Sequence, residues 1–473
     1  MVLRWLVMVA MCCGSALAWA QIPAAVDAEL ARAKVPREAL ALLVLDIQNP
    51  TATPRLSHRA LAPMQAASVI KLVTTFAGLE LLGPAYTWST PVYVDGSVQA
   101  GVLRGNIYIQ GQGDPKLVLE RLWLMLRRVQ GLGIHTVQGD IVLDRSAFAL
   151  EALDPGAFDG EPLRPYNASP DALLINYKSV VMAFTPDRER HVAQVQFDPP
   201  LWGVQMQSTV PLADGHCGDY RGALKAVFSD PNRIRFHGSY PAECGEKVWP
   251  VAYAEPESYA PRAVQGLWNS MGGKLSGAVR YGTVPAALLA GAPTLEVRSP
   301  PLAEIIRDIN KYSNNVMAQQ LFLTLGREGK GDVATLAGAR AVVERWWQSR
   351  ISSTEPLELD KGSGLSRQER ISARALGQLL QAAYRSPLMP ELVSSLPLSG
   401  VDGTLKRAKV NSPGSAHLKT GSLNGVSAIA GYVDGASGKR YALVALVNHP
   451  NAASARAALD ALVDWTALDT EDR

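Results

Sequence analysis

Three short stretches of this chain carry side chains that complement one another: Ser68-Val-Ile-Lys71, Ser313-Asn-Asn315 and Lys419-Thr-Gly421. A serine hydroxyl is a poor nucleophile until a base takes its proton. Residues i and i+3 of a helix share a face, so Lys71 is placed to reach the Ser68 hydroxyl. To act as a base, that lysine must lose its own proton. A helix N-terminus disfavours a cation, burial lowers a lysine pKa, and a second cation such as Lys419 adds to both. The same helix start aims the backbone N–H of Ser68 at a developing oxyanion, with the N–H of Ser422 as the second donor. Ser313 is suited to pass a proton to a leaving amine, and Asn315 to hold a substrate amide and position Lys71. Lys419, with Thr420 beside it, offers a point charge for a carboxylate. Gly421 lets a substrate backbone approach the strand closely. The chemistry is acyl transfer through Ser68, with no cofactor and no metal.

Ser-x-x-Lys alone occurs by chance about once in a chain of this length. Its setting is what distinguishes it: Leu72, Val73 and Phe76 follow Lys71 on a largely apolar segment. Ser313-Asn-Asn315 likewise lies between two apolar runs, IIRDINKY and VMAQQLFL, where an open polar loop would be the ordinary place for such a tripeptide. Seven histidines are present, yet no G-x-S-x-G elbow and no H-E-x-x-H accompanies them. His417 alternates onto the strand face of Lys419 and is read as an ordinary packed residue.

The elements that must position these groups fall into two textures. Ala41–Gln48 reads as a strand and Ala67–Leu82 as a helix closed by Gly83-Pro84. From Thr87 to about residue 262 the chain is rich in short strands and Pro, Gly and Asp turns, with a helix near Lys116–Gly131. Beyond Pro300 helical spacing returns at Leu302–Leu325, Asp332–Trp347 and Ala373–Tyr384. Three strands follow, near Ala416–Thr420, Val426–Val433 and Arg440–Asn448, and a helix from Ala453 to about Ala467 ends the chain. Residues 72–312 separate Lys71 from Ser313, although both must serve one site. The expectation is therefore an α/β (α+β) domain cut in two, 21–88 and 293–473. A β-rich insertion, 89–292, fills the gap.

Residues 1–20 read as a signal peptide: Arg4, an apolar run from Trp5 to Cys13, and Ala18-Trp-Ala20 before Gln21. No later stretch approaches about 18 uninterrupted apolar residues. Of four cysteines, Cys12 and Cys13 leave with the signal, and Cys217 and Cys244 remain as a pair suited to a disulfide in an oxidising compartment. Charged residues are 19%, hydrophobic ones 47% and the formal net charge is +3, with no basic run. That balance suits a globular protein with a sizeable core and gives no support to nucleic-acid binding.

In motif order and in the wide gap between the first two motifs, the chain resembles the penicillin-binding proteins of the D-Ala-D-Ala carboxypeptidase and endopeptidase type, most closely the class C low-molecular-mass group. Gly111-Gln-Gly-Asp-Pro115, Pro165-Tyr-Asn-Ala-Ser-Pro170, Gly362-Ser-Gly-Leu-Ser-Arg367, Gly400-Val-Asp-Gly-Thr404 and the run Lys419–Gly425 extend the resemblance over most of the chain. It implies a periplasmic enzyme of three domains: a serine β-lactamase/transpeptidase-like domain, with the insertion 89–292 forming two nested β-rich domains, the inner one at about 180–255. Ser68 would be acylated by peptidoglycan stem peptides at a terminal D-alanine or a 4,3 crosslink, and trapped by β-lactams. Membrane contact would be peripheral. Arg367 and Asn424 would hold the diamino-acid side chain, Arg367 by pairing with a diaminopimelyl carboxylate. Two positions depart from the pattern: Lys361 intervenes between Asp360 and Gly362, and Asn424 stands where some relatives carry Gln. A serine β-lactamase would place the first two motifs much closer together, and a wall-binding protein would not require the activated serine.

Overall fold

The computed structural model describes residues 22–49, 51–151, 154–327, 333–351 and 353–469, so the expected signal peptide lies outside the described residues. At the centre of the split α/β part is a hairpin, β4 (Val426–Asp434) and β5 (Arg440–Asn448), whose residues are almost all buried. On one side β4 pairs with β3 (Ala416–Leu423); on the other β5 pairs with β1 (Leu40–Asp46), which carries β2 (Leu56–His58) at the far edge. All these pairings are antiparallel. Side chains alternate across the sheet with a period of two. Ala442, Val444 and Leu446 enter one core, and Leu443, Ala445 and Val447 enter the other. Helices cover both faces, which is why these strands read as continuous apolar runs instead of alternating with polar residues.

One cover is α1 (Ala24–Arg32) with the terminal helix α8 (Arg456–Leu468), which bury Val26, Leu30, Leu459 and Leu462. The other cover holds α2 (Lys71–Leu82), α3 (Leu302–Lys311), α4 (Asn315–Leu325), α5 (Leu336–Arg350), α6 (Ala373–Tyr384) and α7 (Met389–Ser395). In that layer α2 and α4 are buried along almost their whole length, because they lie at its centre. The central helices carry the first two motifs, and the edge strand β3 carries the third.

Between residues 89 and 298 the chain builds three further sheets. A seven-stranded mixed sheet combines strands from 89–144 with strands from 274–298, so the chain leaves it and returns. Enclosed between those stretches are a five-stranded sheet from 179–252 and a small three-stranded one from 205–236. The helix Pro256–Ser270 buries Tyr259, Val264 and Trp268 in an apolar core that is continuous from the outer sheet to the inner ones. Cys217 and Cys244 meet within this region, with Sγ atoms 2.06 Å apart.

Three details differ from the elements expected. The helix at 67–82 begins as a 3₁₀ turn, Ala67–Ile70, and becomes α-helical only at Lys71. Leu302–Leu325 is two helices, broken at Ser313, whose φ of +57° is left-handed. The helix expected at Asp332–Trp347 runs instead from Leu336 to Arg350, capped by the Thr335 side chain on the Gly338 N–H.

Candidate active site

The 3₁₀ turn decides the geometry of the first motif. With three residues per turn, positions i and i+3 eclipse instead of being offset as in an α-helix. Lys71 Nζ accordingly donates to Ser68 Oγ at 2.8 Å. Ala67, just before the serine, sits at φ +46°, an uncommon conformation for a residue with a side chain. Two glycines wall in this turn. A Cβ on Gly364 would lie 2.1 Å from the Ala67 carbonyl oxygen, and one on Gly421 would lie 2.4 Å from that of Ala66. The turn that carries Ser68 is thus pressed between the 362–367 loop and strand β3, with room for no larger residue on either side.

Lys71 is fully buried. Its ammonium also donates to Asn315 Oδ1 at 2.6 Å and to the Ser363 carbonyl. Burial lowers its pKa to about 7, while the charge of Glu369 works in the opposite direction. As the first residue of α2, Lys71 also sits at a positive helix end, which further disfavours its protonated form.

Asn315 begins α4, and Asn314 caps that helix by accepting the Met317 N–H at 3.1 Å. The Asn315 amide nitrogen donates to the Tyr166 carbonyl at 3.1 Å, so the inserted region helps to hold it. Tyr166 and Asn167 are in turn tied to the Asp159 carboxylate at 2.8 and 2.7 Å. The left-handed Ser313 lies at the break between α3 and α4, and its Oγ accepts from Lys419 Nζ at 2.9 Å. Lys419, also fully buried, donates in addition to the Thr420 carbonyl at 2.8 Å. Its pKa lies well below the ordinary lysine value, through burial first and the charge of Lys71 second.

Five expected residues, Ser68, Lys71, Ser313, Asn315 and Lys419, thus form two linked sets around two buried lysines. The substrate-binding candidates ring them. Thr420 Oγ1 donates to Thr404 Oγ1 at 2.7 Å, Gly421 packs on the nucleophile turn, and Ser422 is exposed one residue further along the edge strand. Arg367 stretches across to Asn424, donating to its backbone carbonyl at 2.8 Å, and its guanidinium lies 5.1 Å from the centre of the Phe158 ring. Asn424 therefore meets Arg367 through its main chain. His417 is half-buried on the strand face of Lys419; burial and the nearby Lys311 charge lower its pKa, and its Nδ1 has no partner among the described residues. Lys361 joins the loop through its backbone, whose N–H reaches Glu369 at 3.1 Å.

Sequence reasoning did not foresee the Ser363 and Tyr166 carbonyls, Phe158, Asp159 or Glu369. Two of these act through main-chain oxygens, which no residue type advertises. No group of histidine, cysteine or carboxylate side chains suited to a metal ion occurs among the described residues.

Comparison with known proteins gives a consistent picture. The family model for the D-Ala-D-Ala carboxypeptidase 3 (S13) family matches residues 22–468. A D-alanyl-D-alanine carboxypeptidase from an Actinomadura species is 29% identical over 391 residues, covering 79% of this chain and 71% of that protein. The crystal structure of penicillin binding protein 4 (dacB) from Haemophilus influenzae superposes with a TM-score of 0.72 at 23% identity, over 93% of this chain and 99% of that one. A second structure of the Haemophilus protein, complexed with a β-lactam, gives a TM-score of 0.68 at 23% identity over the same shares of the two chains.

Proposed function

Because the chain belongs to the D-Ala-D-Ala carboxypeptidase 3 (S13) family, we propose that it is a serine D,D-peptidase acting on peptidoglycan stem peptides, removing a terminal D-alanine, opening 4,3 crosslinks, or both. The observation that carries this reading is Lys71: fully buried, with a pKa of about 7, and 2.8 Å from the Ser68 hydroxyl. A lysine with that pKa is neutral in about half the molecules at pH 7, which suits a general base.

In this mechanism neutral Lys71 takes the Ser68 proton as Oγ attacks the carbonyl carbon of the penultimate D-alanine. The oxyanion forms against the N–H groups of Ser68 and Ser422. As the C–N bond breaks, Ser313, held by Lys419, relays to the leaving amine the proton that Lys71 took from Ser68, which leaves Lys71 neutral again. The substrate's terminal carboxylate lies against Lys419 and Thr420. Such an anion works against the lowering of the Lys419 pKa and favours its charged form. Water then cleaves the acyl-enzyme, with Lys71 again as the base. β-Lactams follow the first half of this path and are held at Ser68.

Arg367, lying over Phe158 beside the Asn424 turn, forms the subsite for the diaminopimelyl group and pairs with its free carboxylate. The domain division is proposed at 21–88 and 293–473, with an insertion at 89–292; the strand Leu295–Arg298, inside the second segment, pairs with the outer sheet of the insertion. The insertion then serves the site through the Tyr166 carbonyl on Asn315. Residues 1–20 act as a cleaved export signal and the enzyme works in the periplasm. Membrane association, as proposed, is peripheral; no helix among the described residues is long and apolar enough to cross a membrane.

The test is a mass-spectrometric digest of a pentapeptide muropeptide and a 4,3-crosslinked dimer by the mature protein and its Ser68→Ala variant. Loss of D-alanine or cleavage of the dimer by the native protein alone is expected. No product from either substrate would overturn the reading.

A further inference from the structure

Glu369 is a buried carboxylate with no part in the steps above. Its Oε1 accepts three consecutive backbone N–H groups, those of Asp360, Lys361 and Gly362, at 3.2, 3.1 and 2.8 Å. Oε2 has no partner among the described residues. The gathered segment then runs directly into the site. The Gly362 carbonyl accepts from Thr74 Oγ1 on α2 at 2.6 Å, the Ser363 carbonyl accepts from Lys71 Nζ, and Gly364 packs against the turn that holds Ser68. One carboxylate oxygen therefore anchors the loop whose next residues support both the base and the nucleophile.

The charged groups around it are few. Lys71 on α2 feels its charge, and Asp360 and Lys361 belong to the loop. Arg340 on α5 pairs with Asp360 at 3.7 Å. The neighbouring Arg370 turns its guanidinium to the carbonyls of Arg367 and Glu369, at 2.7 and 2.9 Å.

We propose that Glu369 is a positioning residue: its Oε1, by gathering the backbone N–H groups of residues 360–362, holds the loop whose next residues seat Lys71 and Ser68, and its charge acts on the Lys71 ammonium. The proposal rests on the serine peptidase reading and assigns no contact with substrate. Burial raises the Glu369 pKa, and the N–H donors gathered on one oxygen work against it. At Lys71 the Glu369 charge opposes the lowering by burial. Without that charge, Lys71 would lose its proton at still lower pH.

The experiment measures the second-order rate of acylation by a fluorescent penicillin from pH 5 to 9, with thermal melts alongside. It compares the native protein with Glu369→Gln, Glu369→Asp and Glu369→Ala. In Glu369→Gln the amide oxygen still accepts the three N–H groups while the charge is gone. The expected result is a plateau near the native one and an acid limb moved about one unit towards lower pH. Glu369→Asp keeps the charge on a shorter stem, so its limb stays at the native pH with a lower plateau. Glu369→Ala releases the loop and lowers the plateau about tenfold or more at every pH.

A Gln limb coincident with the native one, or an Asp limb displaced as far as that of Gln, would overturn the charge assignment. A Gln plateau as low as that of Ala would overturn the anchoring role. These outcomes are separable from failure of the peptidase reading, in which the native protein itself would not be acylated.

Discussion

If Lys71 is the base, the acylation rate must follow its deprotonation. An ordinary lysine with a pKa of 10.5 is neutral in roughly three molecules per ten thousand at pH 7. In this site the pKa is lowered to about 7 because the ammonium is fully buried. About half the molecules then carry a neutral base, a gain of about a thousandfold, or about 4–5 kcal/mol by the usual conversion. The second-order rate of penicillin acylation should rise tenfold per pH unit below about pH 7 and flatten above it. At pH 5 it should be roughly one hundredth of the plateau. Lys71→Arg keeps a cation that does not lose its proton, so its rate should fall about a thousandfold or more, with no acid limb. The same displacement affects stability with a definite sign. The folded-state pKa lies below the unfolded one, so between about pH 7 and 10.5 the unfolded chain binds the extra proton, and stability from this group rises with pH across that window. Below pH 7 the full penalty remains. A rate independent of pH between 6 and 8, one rising only above pH 9, or a Lys71→Arg protein acylated at the native rate would refute the reasoning.

Three further outcomes are expected. Arg367→Ala should raise KM for a diaminopimelate-containing peptide about tenfold while leaving penicillin acylation nearly unchanged, as seen by comparing steady-state hydrolysis with stopped-flow acylation. Gly364→Ala should destabilise the protein by about 2–4 kcal/mol, because Gly364 has φ +82° and an added Cβ would lie 2.1 Å from the Ala67 carbonyl; melts and acylation should both fall. Replacing Cys217 and Cys244 together by serine opens a loop of sequence separation 27. It should lower stability by about 3–4 kcal/mol in denaturant titrations, with the acylation rate retained, since the pair is remote in sequence from every motif of the site.

Much of this architecture can be read from residue types alone. The apolar run Arg440–Asn448 and the helical spacing of Ala373–Tyr384 both fall at the bounds the structure gives, because each is long and its burial pattern leaves no competing period. The first two motifs stood out because polar side chains sit there among apolar runs, and Lys419 only through its order behind them; the structure brings the five side chains of Ser68, Lys71, Ser313, Asn315 and Lys419 together. The 3₁₀ turn at Ala67–Ile70 was not, since a spacing of three residues suits both kinds of helix. Nor was the break at Ser313: the apolar period of α3 runs into that of α4 almost in phase, and only the backbone reveals the left-handed residue. Glu369 gave no signal because an isolated glutamate on a polar stretch reads as solvated, and its partners are three main-chain N–H groups. The shared core of the inserted sheets depends on pairings distant in sequence, such as Val102 with Thr136 and Lys247 with Phe184, which local patterns do not encode.

The central claim is that Ser68 is the nucleophile of a D,D-peptidase. It is tested most directly by incubating the mature protein with benzylpenicillin, measuring its intact mass, and mapping the adduct by tandem mass spectrometry of a digest. The account predicts one equivalent of added penicillin, located on the peptide that carries Ser68 and absent from Ser68→Ala. An adduct on another residue, or an unmodified protein that retains D,D-peptidase activity in the Ser68→Ala form, would contradict it.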